Sequence, residues 1–189
     1  MLVKKAKEAL SKEGWADPYD IVVYNICHAH EKDNDFLNKL TKVHKEGKPA
    51  VAIHCTMHSY HWKLKADENG DKEWNKLLGV RSPNHGPKAA ITVTKNPEVD
   101  HKVYKGMPDT WKTPKGELYN IDKVYPTCKV LAYGENGNKK QGKQPLIWVN
   151  QYGKAKVFGT TLGHHNETMQ SKEFLQVLSN GIEWAATSK

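Results

Sequence analysis

The chain has 189 residues, a hydrophobic fraction of 38% and a formal net charge of +8. This size and composition suit one folded domain with a full core and exclude wholesale disorder. The basic residues are spread along the chain, so we predict a lysine-rich solvated surface and no nucleic-acid partner. No run of about 18 apolar residues occurs, so we expect no transmembrane helix and no membrane partner.

The first residues and the cysteines indicate little about the compartment. No apolar segment of signal-peptide type follows residues 1–5. We therefore expect a cytoplasmic protein if the chain is complete and a periplasmic one if a signal has been removed. Cys27, Cys55 and Cys128 have no CxxC spacing, which argues against a disulfide framework and against a structural zinc site.

The first half of the chain predicts a strand, a helix and a second strand. A helix is expected over residues 4–10, and the continuous apolar run at 20–26 predicts a buried strand. Asp33 or Asn34 can cap the next helix, which Gly47 closes, and residues 50–55 form the second strand. A helix between two strands implies that the strands are parallel.

The second half predicts more strands and a final helix. We expect a short helix near 73–78 and strands at 90–94 and 128–133. The segment between Pro97 and Pro126 is rich in Pro, Gly, Asp and Lys and is interpreted as an irregular excursion. Apolar runs at 145–150 and 155–162 predict a hairpin, and the last helix carries one apolar stripe: Phe174, Leu175, Leu178, Ile182 and Ala185. Together these elements predict an open α/β sheet with some antiparallel strands.

Polar side chains follow three of the predicted strands. Asn25 and Cys27–His28 end the first, His54 and Cys55 the second, and residues 163–166 the last. Ligands of open α/β sheets bind beyond the carboxyl ends of the strands. If the strands around 22, 52 and 160 are neighbours that point the same way, these groups meet in one crevice.

Each of these residues also has a plain structural explanation. A histidine at a strand end is usually a hydrogen-bonded polar residue, and Cys55 is more often a small buried side chain than a nucleophile. His58 and His61 are three residues apart and could share a helical face as metal ligands, although no carboxylate is fixed nearby. Glu117 and Tyr119, in the irregular excursion, could be surface residues.

Several motifs resemble those of the ThuA-like (trehalose utilisation) family. The resemblance covers roughly residues 18–186, and its most specific part is the block YGKAKVFGTTLGH at 152–164. The segments GKPAVAIHC, HGPKAAITV (which begins at His85), DHKVYKGMPDTW and GELYNI support it. The resemblance implies a flavodoxin-like, class I glutamine amidotransferase-like fold, with a mostly parallel open sheet, a C-terminal antiparallel hairpin and helices on both faces. It also implies a bacterial protein of sugar catabolism, with keto-glycosides as one substrate class.

The chain departs from the amidotransferase pattern at the residues that would catalyse glutamine hydrolysis. His54 stands in the position of the nucleophilic cysteine, and Cys55 follows one residue later. His164 matches the amidotransferase histidine, but Asn166 replaces the acid, so glutaminase activity is disfavoured. The resemblance also implies an N-terminal strand that we do not find, and we treat residues 1–189 as a single domain without it.

The leading hypothesis is an enzyme that acts on a sugar or keto-glycoside by imidazole acid–base chemistry, since an unperturbed imidazole pKa suits proton transfer near neutrality. Candidate catalytic residues are His54, His164 and Glu117. Candidate substrate-binding residues are Asn25, Cys55, His58, His85, Tyr119 and His165. One alternative is a non-catalytic carbohydrate-binding module that uses aromatic residues: Tyr60, Trp62 and Trp111.

The other alternative is a metal-dependent hydrolase. We expect no cofactor, but a divalent metal at His54, His58, His61 or His164 is the alternative to test. The expected partner is a small-molecule carbohydrate, and a homo-oligomer is left open.

Overall fold

The computed structural model describes residues 2–61 and 66–187. Five α-helices are present in these ranges: α1 (Leu2–Leu10), α2 (Asn34–Lys45), α3 (Glu73–Leu78), α4 (Asn166–Met169) and α5 (Lys172–Ala186). The long strands are β4 (Asn84–Lys95), β5 (Thr110–Asn120), β7 (Cys128–Glu135), β8 (Gln144–Tyr152) and β9 (Ala155–Thr160). The short strands are β1 (Val22–Tyr24), β2 (Ala50–Ile53), β3 (Val80–Arg81) and β6 (Lys123–Val124).

Seven strands form one mixed sheet in the order β1-β2-β9-β8-β7-β4-β5, and β3 pairs with β6 in a separate two-stranded sheet. Only the β1–β2 and β2–β9 pairs are parallel, whereas the four remaining pairs of the large sheet are antiparallel. The α/β class is therefore confirmed, but the prediction of a mostly parallel sheet is wrong. The strands around 22, 52 and 160 are parallel neighbours, which meets the condition for their terminal polar groups to share one crevice.

The error arises in the segment between Pro97 and Pro126, which was predicted to be irregular. Residues 110–120 instead form β5, an 11-residue strand that pairs with β4. Pro114 lies in this strand, and β5 is at the edge of the sheet, where a missing backbone donor is tolerated. The lysines, proline and glycine of this strand are typical of loops, so local composition did not indicate that it pairs with β4.

Both faces of the sheet are covered by helices. The side chains of Ala50 and Ala52 pack towards α2 and α3, in a cluster that includes Leu40 and Trp148. Val51 and its alternate neighbours face α5 in a second cluster of buried residues: Ile53, Val149, Phe158, Phe174 and Val177. This alternation along β2 follows from the period of two residues of a strand.

The cap predicted for α2 is confirmed, but the stripe predicted for α5 is wrong at one residue, because Leu175 is 52% exposed. Asp33 caps α2 through a hydrogen bond that its side chain accepts from the Phe36 backbone N–H, at 3.0 Å. Ser171 caps α5 in the same way by accepting from Phe174. Within the described residues, none of the helices has the length and apolar character needed to cross a bilayer.

Candidate functional site

His54 sits where β2 turns sharply into a 3-10 helix at His54–His58. Its backbone φ is +46°, a left-handed conformation that is uncommon for a residue other than glycine. Its Nδ1 lies 2.7 Å from the carbonyl oxygen of Thr161, just past the end of β9. A carbonyl can only accept, so Nδ1 carries the proton and donates it. The Nε2 lone pair of the neutral ring therefore points away from Thr161.

Gly163 allows the chain after β9 to pass close to this turn. Its φ is +114°, and a Cβ at this position would lie 3.1 Å from Cγ2 of Ile53 and 3.7 Å from Cβ of His54. A side chain at residue 163 would therefore be strained in its own backbone and would press on the end of β2. The glycine lets Thr161 and His164 approach His54 from the neighbouring strand.

Glu117, on β5, reaches the same place because the sheet curls. Its carboxylate is almost buried and faces three imidazoles. Oε1 lies 3.1 Å from Nε2 of His164, and Oε2 lies 3.7 Å from Nε2 of His54 and 3.6 Å from Nε2 of His85. We call these four residues the imidazole–carboxylate cluster. The predicted catalytic trio of His54, His164 and Glu117 is brought together in it, with the predicted binding residue His85.

His85 has the same orientation as His54. Its Nδ1 lies 2.9 Å from the carbonyl oxygen of Gly86, so this nitrogen donates and leaves the Nε2 lone pair towards Glu117. Within the described chain, the buried Nε2 of His54 has no hydrogen-bond partner. The Nε2 lone pairs of His54 and His85 repel the Glu117 carboxylate when no proton lies between them. The cluster can therefore receive a proton, a polar substrate group or a cation.

Burial sets the protonation of the two catalytic candidates. It lowers the pKa of His54, against the opposing effect of the hydrogen bond to Thr161. Burial also lowers the pKa of His164; Glu117 acts to raise this pKa, while the charges of His165 and Lys88 lower it further. Both rings are therefore neutral at pH 7, and the His54 Nε2 lone pair is free to act as a base.

Aromatic packing holds the rim of the cluster. Tyr119 lies edge-on to His54, with ring centroids 5.1 Å apart, and stacks on His58 at 4.3 Å. Nε2 of His58 bonds to Ser82 Oγ at 3.0 Å instead of contacting Glu117. Burial raises the pKa of Tyr119, so its hydroxyl stays protonated and can donate. These two predicted binding residues therefore form a wall of the site.

His164 and His165 are hydrogen-bonded to each other through their Nδ1 atoms, at 2.7 Å. Both precede α4, which contacts β5 through a hydrogen bond from Thr168 Oγ1 to the Lys115 carbonyl. His165 therefore orients His164, and through it the contact with Glu117, from the solvent side of the cluster.

Cys55 has a different state from the one expected. The odd, scattered set of cysteines argued against a disulfide framework, but for one pair this prediction is wrong: Cys27 and Cys55 form a disulfide, with their Cα atoms 5.1 Å apart. The fold brings the ends of the adjacent strands β1 and β2 together, which spacing along the sequence cannot reveal. Cys55 consequently offers no thiol to a substrate.

Other candidates lie apart from the cluster. Asn25 lines a cleft of about 380 Å³ beneath α1, together with Leu10, Ile26 and Phe36. The backbone carbonyl of His61 accepts a bond from Lys72, and its ring lies 6.1 Å from that of His58. Of the aromatic residues proposed for sugar stacking, Tyr60 and Trp111 are buried and Trp62 lies outside the described residues.

The donor set that could hold a metal differs from the predicted one. Ligand atoms of His54, Glu117 and His164 all lie within 4.8 Å of one another, whereas His58 and His61 are not in the group. Two imidazoles and one carboxylate are a common ligand set for catalytic zinc and for non-haem iron. The Nδ1–H bond from His54 to Thr161 is the kind of outer contact that orients a ligating histidine. Sequence reasoning missed both the Thr161 acceptor and the place of Glu117, because each depends on pairing between distant strands.

Comparison with known proteins identifies relatives of this arrangement. The profile of the ThuA family, described as trehalose utilisation, matches residues 4–185. No curated protein matches the chain.

Solved structures give the same fold. A ThuA-like protein from Parabacteroides merdae superposes with a TM-score of 0.72 at 23% identity, over 92% of this chain and 72% of that one. A ThuA-like protein from Bacteroides uniformis gives 0.66 at 17% identity, over 88% and 69% of the two chains. A Thermoplasma acidophilum protein described as a GMP synthase component gives 0.58 at 12% identity, over 95% and 79%. The last match agrees with a glutamine amidotransferase-like fold.

Proposed function

Since the chain belongs to the ThuA family of trehalose utilisation, we propose that it acts on a sugar or keto-glycoside by imidazole acid–base chemistry. One observation carries this proposal. His54 is a buried, neutral imidazole whose Nδ1–H bond to Thr161 directs its bare Nε2 at Glu117. A general base needs such an oriented lone pair before it needs a particular pKa.

The roles follow from the positions around Glu117. His54 removes a proton from the carbon beside the substrate ketone, and the electron pair of that C–H bond moves to the carbonyl oxygen as an enolate. The enolate then expels the glycosidic oxygen. His164, neutral in the resting site, takes up the proton that His54 has removed, by way of the Glu117 carboxylate between the two rings, and passes it to that oxygen. Glu117 also stabilises the imidazolium that forms on His54, because its carboxylate lies 3.7 Å from Nε2.

The same residues speak against glutamine hydrolysis. His54 takes the position of the nucleophilic cysteine in amidotransferases, and the neighbouring Cys55 is bound in a disulfide. Asn166, in place of the amidotransferase acid, begins α4 and is exposed. A thiolate nucleophile is therefore lacking at the described site.

The experiment is turnover of a 3-keto-glucoside by His54→Ala and His164→Ala variants. We expect kcat to fall by about 10²- to 10⁴-fold in each, which is the usual contribution of a positioned acid or base. The matched control is His101→Ala, because His101 packs against Trp184 away from the cluster. Unchanged rates in both variants would remove these residues from the mechanism, and calorimetric binding without turnover would favour a carbohydrate-binding module.

A second candidate, a metal-dependent hydrolase, is favoured by the bare lone pairs that converge on Glu117. When bound, a divalent cation would supply Lewis-acid chemistry and an activated water. His54, Glu117 and His164 would hold it, and Thr161 would keep the His54 ring in place.

Elemental analysis of protein purified without a histidine tag separates the two candidates. The hydrolase predicts about one equivalent of zinc, manganese or iron, which Glu117→Gln lowers and Glu135→Gln, an exposed control, does not. The acid–base enzyme predicts the same turnover before and after treatment with a chelator.

A further inference from the structure

Lys88 lies beside the cluster because of an irregularity in β4. His85 pairs with Tyr119 and Lys88 pairs with Glu117, although His85 and Lys88 are three residues apart and their partners only two. In a regular strand, residues three apart face opposite sides of the sheet. The bulge between them adds one residue, so His85 and Lys88 both face the side that carries Glu117 and Tyr119.

This arrangement leaves the ammonium group of Lys88 available. Lys88 is exposed, and among the described residues it forms no ion pair, although it stands directly opposite Glu117. The carboxylate is engaged by imidazoles instead: His54, His85 and His164. Directly opposed residues of unlike charge commonly pair across strands, so the charge of Lys88 can serve a third group.

The surroundings of Lys88 favour a negative occupant. Within the described part of the chain, Glu117 is the one acidic side chain that contacts the three imidazoles of the cluster. The exposed ammonium group of Lys88, opposite Glu117 and without an ion pair among the described residues, brings a positive charge to this rim, and such a charge attracts anions.

We propose that Lys88 selects sugar derivatives that carry an oxyanion, a carboxylate or a phosphate, close to the reacting carbon. This inference rests on the proposed function, because it assumes that the cluster is where the sugar reacts. Lysine suits the task as a mobile point charge that can follow either group. Lys88 is thus a specificity-determining residue for the substrate of the cluster.

Equilibrium binding tests this role without requiring turnover. Titration calorimetry would compare D-glucuronate, D-glucose 6-phosphate and D-glucose on the full chain and on Lys88→Met. We expect at least one of the two acids to bind the unmodified chain more tightly than glucose by about tenfold or more, the effect of one charge-assisted contact. Lys88→Met should remove that preference and Lys88→Arg should keep it. Whichever acid shows the preference identifies a carboxylate or a phosphate as the group recognised.

The control is Lys112→Met, an exposed lysine on β5 that pairs with Thr92, five residues along the strand from Glu117. It should bind all three sugars as the unmodified chain does. The inference is overturned if glucose binds as tightly as both acids, if no sugar binds, if the preference survives Lys88→Met, or if inorganic phosphate binds as tightly as the preferred acid. His54→Ala should retain the preference, so a failure of the acid–base mechanism in the turnover assay remains separate from a failure here.

Discussion

The inner side of α2 and the end of β2 each bury a histidine, and the two imidazoles differ in what their second nitrogen faces. His44 is 0% exposed; its Nδ1 donates to the Lys48 carbonyl at 2.6 Å, and its Nε2 accepts from the Tyr24 hydroxyl at 2.7 Å. His54 is 5% exposed and also donates through Nδ1, but among the residues that the structure describes its Nε2 has no hydrogen-bond partner and faces Glu117 at 3.7 Å. The two histidines are therefore almost equally buried, but both ring nitrogens of His44 have hydrogen-bond partners, whereas Nε2 of His54 has none in the described part of the chain.

The partner of the second ring nitrogen, and not the burial of the ring, therefore distinguishes a functional imidazole from a structural one. An unpaired buried polar atom costs stability, and a protein keeps it where the atom has another use. At His54 the unpaired nitrogen occurs together with a left-handed backbone and with the three other members of the imidazole–carboxylate cluster: Glu117, His85 and His164. At His44 the surroundings are the apolar cluster between α2 and the sheet.

The largest expected effect is a crossed result from alanine substitutions at the two histidines. His54→Ala should lower kcat by about 10²- to 10⁴-fold, while the free energy of unfolding falls by less than in His44→Ala, because loss of the unpaired Nε2 offsets part of the cavity cost. His44→Ala should leave kcat unchanged but lower the free energy of unfolding by about 3 kcal/mol, because it opens a cavity and strands the Tyr24 hydroxyl.

Turnover assays and urea denaturation on the same two proteins measure both halves of this comparison. If His54→Ala is the more destabilised variant and His44→Ala the less active one, the assignment of structural and functional histidines is reversed.

The sequence predicted the local elements better than the sheet that joins them. The Asp33 cap of α2 is a short-range signal and appears as expected. The apolar stripe of α5 is confirmed only in part, because Leu175 is exposed whereas Val177 and Trp184 are buried. The pairing of β5 with β4 is a long-range feature, and local composition in 97–126 pointed the other way. The antiparallel majority of the sheet was missed for this reason.

The candidate site was predictable as a set of residues and not as a geometry. Strand ends and family motifs identified His54 and His164, and the strands behind them are parallel neighbours. The contact of Glu117 with both requires the sheet to curl, and the approach of Lys88 requires a bulge. The disulfide was missed because only the fold brings Cys27 beside Cys55.

The next effect in size concerns the disulfide that follows His54 directly. Cys27→Ser combined with Cys55→Ser should lower the free energy of unfolding by about 3 to 4 kcal/mol, from the entropy of a loop of this length. Turnover should stay close to that of the unmodified chain. Five hydrogen bonds still join residues 24–28 to the turn that carries His54, including Ile26 N to Thr56 Oγ1 and His28 N to Ser59 Oγ.

Urea denaturation with and without a phosphine reductant measures this effect. Reductant should destabilise the unmodified chain and leave the double-serine variant unchanged. Equal sensitivity of the two proteins would show that the disulfide is not the source of the stability.

A smaller effect is the dependence of stability on pH at His44. Burial lowers the pKa of His44 to about 4 in the folded chain, from about 6.5 when unfolded. Between these two pH values the unfolded chain binds more protons than the folded chain. The contribution of His44 to the free energy of unfolding is therefore fully present above pH 6.5 and is lost as pH falls towards 4. The full loss is about 3 kcal/mol, of which roughly half remains to be lost near pH 5.

Urea midpoints measured from pH 7 to pH 4.5 isolate this term when the unmodified chain is compared with His44→Gln. Glutamine can keep a hydrogen bond to Tyr24 or Lys48 but does not titrate. The unmodified chain should lose stability faster than the variant as pH falls. If the urea midpoints of the two proteins fall equally with pH, a group other than His44 causes the loss of stability in acid.

The smallest effect tests whether the two histidine regions are mechanically joined. Thr56 lies between them: its Oγ1 donates to the Tyr24 carbonyl at 2.9 Å and accepts from the Ile26 N–H at 3.2 Å. Thr56→Val keeps the shape and removes both bonds, so the free energy of unfolding should fall by about 1 to 2 kcal/mol. In the His44→Ala background the loss should differ from that in the unmodified chain, because Tyr24 contacts both Thr56 and His44. Strictly additive losses in urea denaturation would mean that the end of β2 and the inner side of α2 are independent. The hydrogen bond between His44 and Tyr24 would then have no influence on the turn that carries His54.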